Sequence, residues 1–222
     1  MPTAGDLAAL LGGARARVKS AHAVINDWTD PFATLEAMKN GPWAEDVANA
    51  DDPGMFGLPD QATTLELRQW VDYEHNRLRE ERGQLVNIKD GPRWWSIIGG
   101  QAPNAGTEPA SSLELCDALL RWTDPQPLTR LMELKPAGET EALGRKALRV
   151  TAIARPDNGI AGEIAPLGWS ADRWELIVDA ERGVLLATTA FVGDKPFRKV
   201  EATSIELDQS FDDALFAPPS GV

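Results

Sequence analysis

The clearest pattern in the chain is the alternation of apolar and polar residues in the segment 172–216. Trp174 and Leu176 belong to a run in which every second residue is apolar, the spacing of a β-strand with one buried face. Two short turns interrupt the alternation at Gly183 and Gly193, where glycine suits the positive φ of a tight hairpin turn. The segment therefore predicts three consecutive antiparallel strands.

Earlier segments repeat the period of two and predict the rest of a sheet. The Asp90-Gly91 pair is typical of a hairpin turn and separates two of them. Gly, Pro, Asn and Thr interrupt the pattern at 99–110, and a second interruption covers 156–168, so both stretches are predicted to be loops. The predicted strands are 21–28, 64–73, 77–81, 84–89, 93–98 and 146–155.

Apolar residues at helical spacing predict four helices between these strands. The first covers 3–20, with Thr3 and Asp6 forming a cap. Asp30 and Pro31 suit the start of a short helix that runs to Met38, because Pro is tolerated at the first helical position. The other two helices run from Ser111 or Ser112 to Trp122 and from Pro127 to Leu134.

The segment 30–60 has a different composition from its surroundings. It holds seven acidic residues and one basic residue, Lys39, with repeated Pro and Gly. Beyond the short helix it predicts a long loop, and loops of that length in compact domains are either functional lids or mobile segments. We describe it as an irregular acidic insertion at about 30–61 within a single domain that spans residues 1–222.

Composition narrows the function classes. A net charge of −12, with no basic cluster free of interspersed acids, excludes nucleic acid as the expected partner. The longest apolar runs are far shorter than a membrane span, so no membrane-spanning segment is expected. The single cysteine, Cys116, excludes an internal disulfide and is expected to be a buried thiol. The first apolar run, 7–11, is too short for a signal sequence, so the chain as written is expected in the cytoplasm, or exported if a leader was trimmed.

Catalytic chemistry has no support in the sequence. The two histidines, His22 and His75, lie in no nucleophile motif, and Glu74 and His75 would point to opposite faces of a strand. The acidic pairs 45–46 and 51–52 lack the spacing of a calcium loop. We therefore predict no catalytic residue, no metal site and no cofactor, and we do not expect an enzyme.

The order of these elements resembles the LolA-like superfamily, which includes lipoprotein carriers, the amino-terminal domain of the sigma-factor regulator RseB and related actinobacterial proteins. The resemblance covers 3–20 and 64–219 and is best from Gly144 onward. It is carried by the DGPRWW turn, by GRKALRVTAIARP, by ADRWELIVDAERGVLL and by the final FDDALFAPPSG. It implies a mainly β fold with α (α+β): a strongly curved, unclosed antiparallel β-barrel with helices covering the concave face.

Such a barrel would give the eight tryptophans a role, because large amphipathic rings line apolar cavities or fill wide cores. Trp70 lies opposite the apolar face of its predicted strand, and the neighbours Trp94 and Trp95 cannot both enter one core. Core filling is the competing interpretation. The predicted ligand-binding residues are Trp70 and Trp95, followed by Trp174, Leu176 and Leu186.

The resemblance implies a noncatalytic carrier or sensor of a hydrophobic ligand, a lipid or an acyl chain, held between the sheet and the helices. A chain without an export signal would not deliver lipoproteins across a periplasm, so that specific role is not expected. The alternative is a regulatory module that binds a protein partner through the acidic insertion or an open sheet edge, without a bound ligand.

Overall fold

A computed structural model describes residues 2–40, 44–99, 101, 104–107, 117–155 and 170–218. Its centre is one antiparallel sheet with the strand order β6-β5-β4-β3-β2-β1-β11-β10-β9-β8-β7. The sheet is not closed, because in the described part of the chain its two end strands do not pair with each other. The strands are β1 (Ser20–Thr29), β2 (Thr63–Asp72), β3 (Arg77–Arg82), β4 (Leu85–Asp90), β5 (Arg93–Ile98), β6 (Asn104–Thr107), β7 (Met132–Ala142), β8 (Arg145–Ala154), β9 (Arg173–Asp179), β10 (Leu185–Val192) and β11 (Lys195–Leu207).

Short helices accompany the sheet, so the predicted fold class, mainly β with α on an unclosed antiparallel sheet, is confirmed. The Thr3 and Asp6 side chains form the predicted capping box of the first helix. Asp30 caps the second through a bond from the Ala33 N–H to its carboxylate of 3.0 Å. The helices are α1 (Ala4–Gly12), α2 (Pro31–Lys39), α3 (Ala44–Val47), α4 (Asp117–Thr123) and α5 (Gln126–Leu131).

Two helix predictions were wrong at their ends. The opening helix was expected to reach residue 20, but it ends at Gly12, because paired glycines are poor helix formers and Gly13 caps the last carbonyls. The helix expected over 127–134 ends at Leu131, and Met132 begins β7. The start predicted at Ser111 or Ser112, the loop 156–168 and Cys116 lie outside the described residues.

Two strands were missed. β6 lies inside the stretch 99–110 that was predicted to be a loop, and its Asn-Ala-Gly-Thr sequence has no β-forming pattern of its own. β7 contains Pro136 and Gly138, which are depleted in strand interiors, and the register with β8 shifts between these two residues. As an end strand, β7 tolerates both. The C-terminal strands β9 to β11 and their glycine turns follow the prediction.

The two faces of the sheet differ in what covers them. The face that we call the helix face carries α1, α4 and α5 over the main core, which includes Leu11, Trp122 and Leu131. On the opposite, outer face a smaller cluster forms around Ile88 and Phe216, where the 3-10 turn Asp213–Phe216 contacts β3 and β4. The main core holds most of the buried apolar side chains in the described ranges, so most of the hydrophobic stabilisation comes from the helix face.

Candidate ligand-binding site

A pocket of about 400 Å³ opens on the helix face where β1, β2 and β11 meet the acidic insertion. Its walls come from α2, from the segment that follows the 3-10 turn Pro53–Phe56 and from the strands. The lining residues are Asp27, Thr29, Thr34, Met38, Phe56, Gly57, Leu58, Pro59, Thr63, Leu65, Arg82, Phe197 and Arg198.

Local caps fix the shape of the insertion beside the pocket. Asp52 caps the 3-10 turn by accepting a bond of 2.8 Å from the Gly54 N–H. The turn ends at Gly57, whose φ of +69° lies in the left-handed region that residues with a side chain rarely adopt. This geometry places Phe56 and Leu58 on either side of the glycine, against the pocket.

The charged groups at the base of the pocket form a bidentate pair. Arg198 donates from Nε to Asp27 Oδ1 over 3.0 Å and from Nη2 to Asp27 Oδ2 over 2.8 Å. Arg198 on β11 lies opposite Thr29 on β1, and Asp27 is two residues from Thr29 on the same face, so the two side chains are diagonal neighbours. Because both side chains are largely buried, the pair is a fixed part of the pocket base.

Apolar side chains surround the pocket and reach solvent. Leu65 and Phe56, which line it, are 40% and 36% exposed. Met55, in the same 3-10 turn as Phe56, is 72% exposed, and Phe32 at the start of α2 is 54% exposed. Exposed large apolar residues near a concave site are typical of binding surfaces.

No protein-family model matches the sequence, and no curated protein matches it. Solved structures do match. The Pseudomonas aeruginosa MucB (RseB) in its complex with MucA aligns with 97% of this chain at 16% identity and a TM-score of 0.52. An uncharacterised conserved protein from Thermus thermophilus aligns with 99% of this chain and 96% of its own length, at 8% identity and a TM-score of 0.50.

The chain has a LolA-like fold. It aligns with only about three fifths of MucB, 61% of that chain in the complex and 63% in MucB alone. At these identities the likeness shows the fold and leaves the function to be argued from the site.

In this LolA-like sheet the predicted ligand-binding residues separate into two groups. Trp174, Leu176 and Leu186 are all at most 2% exposed and belong to the main core, where they pack against other apolar residues. They contribute nothing to the pocket lining described above. The arrangement matches the core-filling interpretation for these three.

The other two predicted residues, Trp70 and Trp95, lie on the outer face. The strand pairing places His22, Trp70, Arg79, Ile88 and Trp95 in one row across β1 to β5. Both tryptophans pack in the cluster around Phe216, and Trp70 stacks on His22 with ring centroids 4.6 Å apart.

Trp95 also lines a second pocket of about 370 Å³ on the outer face. Its charged lining groups bind one another: Arg77 lies 2.5 Å from Asp213, and Arg93 lies 3.1 Å from Asp90. Its lining is also more polar than apolar, whereas the lining of the helix-face pocket is mostly apolar. We therefore assign the candidate site for a hydrophobic ligand to the pocket on the helix face.

The carboxylate of Asp72 is the centre of a buried network beside this second pocket. Burial alone would raise the pKa of Asp72, but bonds from Arg77, at 2.6 Å, and from His75 outweigh it and lower the pKa. Burial likewise opposes the charge of Arg77, and the hydrogen bonds to Asp72 and Asp213 outweigh it, so the pKa of Arg77 is raised. Both groups are therefore held in their charged forms.

The residues of the helix-face pocket were not predicted from the sequence. Asp27 and Arg198 are 171 positions apart, and no local pattern joins them. The available signal was the insertion itself, which was predicted as a lid or a mobile segment and which supplies Phe56 and Leu58.

The described ranges were searched for side-chain groups that could hold a metal ion and for helices that could cross a membrane. Within them no group of three or more His, Cys, Asp or Glu side chains is placed to hold a metal ion. No helix in the same ranges combines the length and the apolar composition that crossing a bilayer would need.

Proposed function

We propose that this protein is a noncatalytic binding protein whose pocket on the helix face holds a hydrophobic ligand, a lipid or an acyl chain, for transport or sensing. The observation that carries the proposal is the pocket of about 400 Å³ between the sheet and the insertion. Pockets of this size, mostly apolar with a few placed polar groups, are typical of small-molecule sites.

The lining supports an apolar ligand. Met38, Phe56, Leu58, Leu65 and Phe197 provide a largely hydrophobic wall. Burying apolar surface releases roughly 25 cal/mol per Å², so a chain of methylene groups would gain free energy by leaving water for this wall.

A noncatalytic role fits the same residues. The one carboxylate in the lining, Asp27, accepts hydrogen bonds from Nε and Nη2 of the Arg198 guanidinium and is not available as a general base. The described lining residues include no histidine, cysteine or lysine, the groups that most often act as nucleophile or base.

Binding of a neutral apolar dye, Nile red, tests the proposal. Leu65→Gln places an amide in the apolar wall, and burying an unsatisfied polar group should weaken dye binding about tenfold. Leu143→Gln is the matched control, because Leu143 is also 40% exposed but lies in the β7–β8 turn, outside the pocket lining. Dye fluorescence titrations on the two variants and the unchanged protein give the three affinities.

Equal loss of affinity in both leucine variants, or no binding by the unchanged protein, contradicts the proposal. Native mass spectrometry of the protein purified from its own organism supplies an independent measurement. We expect an adduct of lipid mass that is reduced in Leu65→Gln and retained in Leu143→Gln.

A second candidate function is supported by the exposed apolar rim. Met55 and Phe32 lie on the insertion but do not line the pocket, and surface apolar groups of this kind are common where a protein partner binds. MucB, which shares the fold, has been solved in complex with MucA. The alternative is therefore a regulatory module that binds a protein through the insertion.

The two functions respond to different substitutions. Met55→Asp should abolish recovery of a stoichiometric partner in affinity isolation and leave Nile red binding unchanged, because Met55 does not line the pocket. Leu65→Gln should do the reverse if the ligand is the physiological cargo. Loss of partner recovery in both variants would indicate that ligand and partner use one surface.

A further inference from the structure

The lining of the helix-face pocket differs in charge from the protein as a whole. The chain carries a net charge of −12. The charged lining residues are Arg82, Arg198 and Asp27, a formal sum of +1. Because charges in water are screened beyond about 8 Å at physiological salt, the groups in the lining count most for a bound ligand.

The two lining arginines are in different states. Arg198 is bound in a bidentate pair with Asp27 at the base of the pocket. Arg82, at the end of β3, is exposed, and within the described ranges its side chain has no hydrogen bond, ion pair or ring contact. The excess positive charge of the lining therefore lies on a guanidinium that is available to a ligand.

Arg82 is joined to the apolar wall through strand pairing. It lies opposite Leu67 on β2, and Leu65 is two residues away on the same face of that strand. A ligand whose chain packs on Leu65 and Phe56 would thus have its end group near the guanidinium. A planar guanidinium with several N–H donors suits the oxygens of carboxylate and phosphate groups.

We propose that the ligand is a single-chain amphiphile with an anionic head group, a carboxylate or a phosphate, that binds to Arg82 while its chain occupies the apolar part of the pocket. The proposal rests on the proposed function, since it names the class of ligand for the same pocket. A cationic head group is disfavoured, because the one carboxylate in the lining is bound by Arg198.

Four probes of equal chain length separate head group from chain: decanoic acid, decyl phosphate, decanol and decyltrimethylammonium. Calorimetric titration above pH 7, where the acid is ionised, should give tighter binding of an anionic probe than of decanol by about three- to fivefold, the size of an exposed ion pair. The cationic probe should bind more weakly than decanol. The anionic advantage should shrink as salt is added.

Arg82→Gln should remove the preference for the anionic probes over decanol, and a native circular dichroism spectrum shows that the variant is folded. Arg68→Gln is the matched control: it removes the same charge from the neighbouring strand β2, where Arg68 lies on the outer face opposite Val24. This control should keep the preference. A preference for the acid alone or for the phosphate alone supports the proposal and identifies the head group.

The outcomes distinguish the head-group proposal from the proposed function. If decanol binds and the anions bind no more tightly, or if Arg82→Gln retains the preference, the head-group proposal is overturned and the proposed function stands. If none of the four probes binds, the proposed function fails and this inference fails with it.

Discussion

One face of one sheet contains both a packed core and an open pocket, and the strand pairing shows how close the two regions are. A single row of neighbours runs from Leu176 through Thr188 and Val200 to Asp27 and Leu65. Leu176 is completely buried, whereas Leu65 is 40% exposed. The strand pairing is unbroken along the row, so the difference in exposure comes from what covers the sheet.

The covering helices explain the difference. Over the packed region, α1, α4 and α5 supply Leu11, Trp122 and Leu131, each at most 1% exposed. Over the open region, α2 supplies Ala33 and Ala37 to the core, and these small side chains fill far less volume. In this sheet, space is left where the covering helix presents small residues.

The largest effect should come from truncating a side chain in the packed region. Trp174→Ala removes a side chain that is 1% exposed and leaves a cavity in the core. Truncations of this kind lower the free energy of unfolding by about 3–5 kcal/mol. Phe56→Ala, at the open pocket, should cost less than about 1 kcal/mol and weaken Nile red binding. Urea unfolding of both variants checks the pair, and equal destabilisation would mean that the pocket wall is packed as tightly as the core.

A smaller effect should come from the buried polar link that ties α4 to the sheet. Gln69 on β2 accepts a 2.9 Å bond from the Leu119 N–H and donates a 2.5 Å bond to Glu80. Gln69→Met would leave that N–H buried without its acceptor, which costs about 1–3 kcal/mol. Urea unfolding measures the loss.

Glu80→Gln is the control for this link, because it keeps both the acceptor for Leu119 and an oxygen toward Gln69. It should cost clearly less than Gln69→Met. Similar losses in the two variants would show that the bond to Leu119 does not hold α4, and that the packed region depends on apolar contacts alone.

The strands of this fold were largely predictable, because alternation and glycine turns are local signals. The hairpin at Asp90 and Gly91 and the turns at Gly183 and Gly193 all have the positive φ at glycine that the pattern indicated. β7 was missed because Met132 and Leu134 continue the apolar spacing of the preceding helix, and because Pro136 and Gly138 resemble a loop. Sheet pairing with β8 overrides these local preferences.

The site was less predictable than the fold. Alternation shows that Trp70 and Trp174 lie on strands with two distinct faces, but it does not show which face the helices cover or how completely. Trp174 lies in the packed core and Trp70 lies on the outer face. The pocket depends on contacts between β1, β11 and the insertion, which are far apart in sequence. Such contacts produce no periodic pattern of apolar and polar residues.

The smallest effect concerns the outer face of the same strands, where His22 stacks on Trp70. Burial lowers the pKa of His22 below 6.5, against the opposing attraction of Glu206 and Glu81 and with a small contribution from Arg68. As the pH falls below 6.5, the unfolded chain therefore takes up a proton more readily than the folded chain, and stability is lost on acidification. His22→Gln should reduce this loss, measured as the difference in urea midpoint between about pH 7 and pH 5, and nuclear magnetic resonance titration of the His22 ring gives its pKa directly. A His22 pKa at or above 6.5 would show that the ring is more accessible to water than its stacking on Trp70 indicates.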